Sequence, residues 1–256
     1  MKSQLVYGTH PVTALLEHQP ERIKRLFVAN TGKSANSANS KSDQRVSGVT
    51  GLATQHGIAV EPVSSRWLEE NLPGVPHQRL VAEYMPLPPR GVKELQTFVK
   101  AISESPQLLL VLDNILDPHN LGACLRVASG MGVNAVILPA NNSAGLTAAA
   151  HKSAAGAAAM LPLFQVSNLA RALQMLKDEG YWLYGAAGEA DSVASAVEFS
   201  TSSVIIMGGE GGGLRARTRD LCDIQFSIPM FGSLQSLNVS VAAGIALYAV
   251  RSHWSA

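Results

Sequence analysis

Three segments of this chain carry the residue types that chemistry needs, and each follows or contains a short apolar run. The first is LDNILDPHNLGACLRVA, residues 112–128. Here Asn120 can cap a helix, and Arg126 stands among Gly122, Ala123, Val127 and Ala128. A lone guanidinium on so small and apolar a stretch pairs with a carboxylate or binds a phosphate. The second is IIMGGEGGGL, residues 205–214, where Glu210 is the only side chain beyond hydrogen in positions 208–213. Such a turn lets backbone approach a ligand and take positive φ angles. Its spacing is not that of a dinucleotide fingerprint, and no Gly-Lys-Ser/Thr follows, so a phosphate loop is disfavoured. The third is FSIPMFGSLQSLNVSVAAGIALYAV, residues 226–250. It gathers Ser233, Ser236, Asn238 and Ser240 ahead of a long apolar helix, with Ser236 as its expected cap. Free N–H groups at that helix start could meet a ligand's polar edge. A nucleophilic serine is disfavoured because no GxSxG is present, and His119 has no partner His or Cys for a metal site. Three such loops define a composite site at the rim of a sheet, where α/β proteins keep their chemistry.

The elements that must hold these loops are legible as a rhythm. Residues 108–113 (LLLVLD) form a continuous apolar run, as in a strand buried on both faces. Runs at 135–139, 182–187, 204–208 and 224–229 are similar, and helical patterns fall at 121–131, 147–158, 169–179, 214–221 and 237–251. That alternation predicts an α/β domain over 107–256 with a mostly parallel sheet covered on both faces. Residues 1–85 read as a smaller α/β unit, with a helix around 12–16 and strands at 25–29, 58–63 and 80–85. The tract 30–48, rich in Ser, Asn, Gly and Lys, reads as a polar surface loop or an RNA-contacting arm. Residues 86–106 begin Pro-rich and read as a linker, with a short amphipathic helix at 92–102.

Composition bounds the function classes. Across 256 residues, 46% are hydrophobic and 15% charged, which suits a globular protein with a sizeable core. No apolar run reaches the roughly 18–20 residues that span a bilayer, and the first residues lack the apolar core of a signal peptide. The two cysteines, Cys124 and Cys222, make no metal-ligand pattern and suit a reduced, cytoplasmic setting. Residues 1–100 hold 12 Lys and Arg against 8 Asp and Glu, whereas residues 101–256 hold 8 against 11. A basic front half joined to a slightly acidic back half suits an RNA-facing module on a catalytic one, or ordinary surface scatter.

Taken together the three motifs resemble those of the SpoU (TrmH) branch of the SPOUT RNA methyltransferases: NxGxxxR, GxEGxGL and SLNVSxAxxI. They stand here as Asn120 to Arg126, Gly208 to Leu214 and Ser236 to Ser240. YGTHPVTALL (7–16) and VPHQRLVA (75–82) resemble the substrate-binding domain, similar to ribosomal protein L30e, of bacterial 23S rRNA (guanosine-2′-O)-methyltransferases. Arg79 departs from the glycine usual there. The resemblance implies a deep trefoil knot at the C-terminal end, a rare feature that periodicity alone does not reveal. It implies S-adenosyl-L-methionine as cofactor, held by main-chain groups near Gly208, Ile228 and Leu237. Arg126, Asn120, Glu210, Asn238 and Ser240 are the implied catalytic set, 23S rRNA the substrate, and a homodimer with its last helix near the interface the working form. Neither a metal nor a membrane is expected to take part. Methylation of tRNA ribose, and a non-catalytic RNA-binding protein of the same fold, are the alternatives.

Overall fold

The computed structural model describes residues 2–29, 41–102, 105–209 and 211–255. They fall into two compact units, one drawn from Met1–Pro88 with Leu146–Met160, the other from Pro89–Gly145 with Leu161–Ala256.

The first unit runs β1 (Gln4–Tyr7), α1 (Thr9–His18), β2 (Ile23–Ala29), α2 (Lys41–Gln55), β3 (Ala59–Val63), α3 (Ser65–Asn71) and β4 (Leu80–Tyr84). Its sheet has the order β1-β4-β2-β3, with β4 antiparallel to both neighbours and β3 parallel to β2. In α1 the residues Val12, Leu15 and Leu16 share one face and are buried under Val6, Leu26 and Leu80. The opposite face of the sheet packs Phe27 on Trp67 of α3, ring centroids 4.6 Å apart. The tract expected to be a polar loop to residue 48 is helical from Lys41, because Val46, Val49 and Ala53 recur at helical spacing and are buried. The remainder of that tract, 30–40, lies outside the described residues.

Two short helices from far along the chain complete this unit: α6 (Ala148–Ala154) and α7 (Ala157–Met160). Ala159 joins the core, its carbonyl accepts from Gln19 Nε2 at 2.9 Å, and His151 is buried edge-on against Tyr84. The single helix expected over 147–158 is split because Ala155 takes a left-handed φ of 50°. Arg79 also has positive φ, 68°, a conformation that glycine adopts freely. Its side chain is tied down: Nε donates to the carbonyl of Ala29 and Nη1 pairs with Asp43.

The second unit runs α4 (Val92–Ala101), β5 (Gln107–Asp113), α5 (Pro118–Gly130), β6 (Ala135–Pro139), β7 (Leu163–Val166), α8 (Leu169–Asp178), β8 (Trp182–Ala186), β9 (Ser202–Gly208), α9 (Ala216–Leu221), β10 (Ile224–Phe226) and α10 (Val239–Trp254). Its six strands lie in the order β10-β8-β9-β5-β6-β7, and every ladder is parallel. The central strands β5 and β9 are buried throughout their middles, as their unbroken apolar runs require. The stretch expected as a linker contributes α4, whose Leu95 and Val99 enter this unit's core.

Candidate active site

β5 and β9 run in register to their ends, where Asp113 stands opposite Gly208. Beyond Gly208 the chain turns back on itself. The Gly213 amide donates to the Gly209 carbonyl at 3.0 Å, and Gly211 and Gly213 take positive φ. A Cβ on Gly208 would lie 2.1 Å from the Gly213 carbonyl carbon, and one on Gly209 would lie 2.2 Å from the Asn114 oxygen. Glycines so placed suggest room for a ligand; at these two positions the room is taken by the chain's own backbone. Asp113 is fully buried beneath this turn, and Arg215 Nη2 lies 2.6 Å from its Oδ1. The approach is that of an ion pair, off the axis of a hydrogen bond, and neither Asp113 oxygen accepts one among the described residues. Sequence reasoning missed both residues; the available signal was a carboxylate closing a run of apolar ones.

Two helix starts meet beside this turn's strand. α5 is capped by Asp117, whose side chain accepts from the His119 amide at 3.0 Å, with Pro118 in the first turn where its missing N–H costs nothing. Asn120, read as the cap, is therefore inside the helix. α10 is capped by Asn238 instead of Ser236: Asn238 Oδ1 accepts from the Ser240 amide at 2.9 Å and from Ser240 Oγ at 2.6 Å. Released from capping, Asn120 offers its Oδ1 to Asn238 Nδ2 at 2.9 Å. Three candidates from two helix starts 118 residues apart are thus joined. The two helices are parallel, since Arg251 near the end of α10 donates from Nε to the Met131 carbonyl just past α5.

Arg126 is not part of this trio. It lies six residues beyond Asn120, about 9 Å further along the helix axis, with its side chain exposed. No carboxylate pairs with it among the described residues. Glu210 lies outside the described residues.

The candidate cofactor contacts Ile228 and Leu237 bound a segment without regular structure between β10 and α10. β10 stops at Phe226, short of the expected 229, in keeping with the missing N–H of Pro229. No main-chain hydrogen bond joins 228–237 to the other described residues. Most of these residues are exposed, so their main-chain groups are hydrated and accessible, as recognition of a ligand through the main chain requires. Ile228 and Leu237 are half-buried, whereas Phe231 is 97% exposed. Among the described residues no three His, Cys, Asp or Glu gather as a metal site, and no helix is long and apolar enough to cross a membrane.

Comparison with known proteins adds to this geometry. Residues 107–248 match the SpoU rRNA Methylase family, and residues 5–90 match the RNA 2′-O ribose methyltransferase substrate binding domain. The chain is 44% identical over 245 residues to the 23S rRNA (guanosine-2′-O-)-methyltransferase RlmB of Pseudomonas aeruginosa, covering 96% of this chain and 94% of that one. The RlmB of Escherichia coli K12 is 40% identical over 246 residues, covering 96% and 97%. Among solved structures, the SpoU methyltransferase AviRb from Streptomyces viridochromogenes in complex with AdoMet aligns with a TM-score of 0.77 at 22% identity, covering 99% of this chain and 92% of that one. The AdoMet-bound rRNA methyltransferase from Sinorhizobium meliloti aligns with a TM-score of 0.77 at 20% identity, covering 98% and 88%.

Proposed function

Because the chain belongs to the SpoU rRNA methylase family, we propose that it transfers a methyl group from S-adenosylmethionine to the ribose 2′-oxygen of a guanosine in 23S rRNA. The observation that carries this reading is the joined trio Asn120, Asn238 and Ser240, set where two helices start, next in sequence to 228–237, whose main chain makes no hydrogen bond to the other described residues. The donor supplies an activated methyl on a positively charged sulfur. What remains for the protein is alignment and help with the hydroxyl proton.

Each residue has a role under this reading. Main-chain groups near Gly208, Ile228 and Leu237 hold the donor. The trio orients the ribose. Arg126 binds an RNA phosphate and stabilises the alkoxide that develops as the 2′-hydroxyl loses its proton. Arg resists deprotonation, which argues against the guanidinium as the base. Glu210 positions the hydroxyl or Arg126, or accepts the proton. The first unit selects the RNA, consistent with its match to a substrate-binding domain.

The working form we infer is a homodimer. Val241, Ile245 and Tyr248 are exposed on one stripe of α10, and Phe231 and Leu234 are exposed in the segment before it. Apolar side chains so grouped mark an interaction surface. Pairing there would also give Arg126, which pairs with no carboxylate among the described residues, a site to complete. Ribosomal RNA as substrate implies a cytoplasmic setting, and the family's knot belongs to the C-terminal stretch that carries the second and third motifs.

The test is methyl transfer from labelled donor to rRNA prepared from a strain lacking the gene. One 2′-O-methylguanosine gained per 23S molecule is expected. Label in tRNA alone overturns the substrate, and no label in any RNA overturns the enzyme.

A further inference from the structure

Both ends of the glycine turn come back to one residue, Asp113: the first through the strand ladder, the last through the carboxylate. The turn's first residue, Gly208, is in ladder register with Asp113. Its far end, Arg215, returns to place Nη2 2.6 Å from Asp113 Oδ1. Between these points the Gly209 and Gly213 bridge and the buried Leu214 anchor the described ends of the turn. Asn114, next after Asp113, adopts a φ of 66° and presses its carbonyl against Gly209.

Asp113 is 0% exposed. A carboxylate in that position is tolerated only when paired, and an apolar residue of similar volume would pack there without the cost of desolvating its charge. The charges bring direction: attraction draws the end of the turn onto the end of β5, which greasy contacts would leave free to slide. We propose that Asp113 and Arg215 are positioning residues for the methyl-donor site. They hold together the two ends of the glycine turn, at Gly208 and at Leu214, and donor affinity depends on them although neither touches the donor. The proposal rests on the reading of Gly208 as a donor contact.

The experiment uses the full chain and S-adenosylhomocysteine, the demethylated donor, as probe in isothermal titration calorimetry, with donor and RNA dependence of methyl transfer measured alongside. The double variant Asp113→Asn with Arg215→Met leaves no lone charge in the interior and so should fold. Its dissociation constant is expected to rise by about tenfold. The donor KM should follow, with the RNA KM and the kcat at saturating donor within about twofold of the parent. Arg215→Lys keeps a charge without the rigid fork and is expected to fall between the two. Parent-like affinity in the double variant overturns the proposal, as does a loss confined to kcat. Should the double variant not fold, Arg215→Lys decides alone: raised donor KM with unchanged kcat supports the proposal, and parent-like values overturn it. Failure of the unsubstituted protein to bind the probe overturns the functional reading itself, and this inference with it.

Discussion

Asn238 does two jobs that different substitutions separate. Its Oδ1 caps α10 and its Nδ2 reaches Asn120. Asn238→Ala removes both, and should cost about 1 kcal/mol of stability along with most of the activity. Asn238→Asp keeps a capping oxygen and loses the donor to Asn120, so thermal melting should be near normal while methyl transfer falls. The glycine turn makes an equally sharp contrast. Gly209→Ala drives a methyl into the Asn114 carbonyl, and should cost about 3 kcal/mol in a denaturant titration. Gly212→Ala meets nothing within 4 Å and should be silent. For Arg126, near-normal activity of Arg126→Lys with an unshifted pH–rate profile would count against a fixed guanidinium contact. The site's residue types could be read from the chain, but their jobs could not. Asp, Asn and Ser all cap helices, so a helix start misplaced by one turn exchanges capping residue and ligand. Asp113 was hidden for a different reason: its meaning depends on Arg215, about a hundred residues away.

At the scale of elements, the parallel pairing of α5 and α10 brings their starts together, and Arg251 closes the far end with bonds to the carbonyls of Met131 and Gly132. Those carbonyls lie at the negative end of the α5 dipole, where a cation is favoured. Arg251→Ala should lower stability by about 2 kcal/mol, read as a fall in melting temperature. It should weaken activity as well, since the Asn120 to Asn238 contact depends on the same packing. Long apolar strands and the last helix were legible because periodicity and burial agree there. β1 and β7, four residues each, were too short to leave a pattern. All of α2 was concealed by its Ser- and Gly-rich composition, which a few spaced valines overrule once a sheet lies beneath them.

On the scale of the whole molecule, the first unit is assembled from two stretches of chain. Its seam carries a pH dependence. Burial pushes the His151 imidazole down to about 4, so the folded protein keeps the ring neutral while the unfolded chain protonates near 6.5. Stability is therefore intact above 6.5 and lost as pH falls from there towards 4, at up to about 1.4 kcal/mol per pH unit. His151→Phe should flatten that slope in melts between pH 7 and 4.5. The match of residues 5–90 to a substrate-binding domain gave no hint that α6 and α7 join it, because each is only a run of alanines and small polar residues. Their placement bears on biosynthesis. A ribosome that has made the first ninety residues has released an incomplete module, with Leu16 and Tyr84 still waiting for the wall that Ala159 and His151 provide. Maturation of that module has to wait until residue 160 clears the exit tunnel, by which time β5 and β6 of the second unit are already out, so the two modules are exposed unfinished side by side.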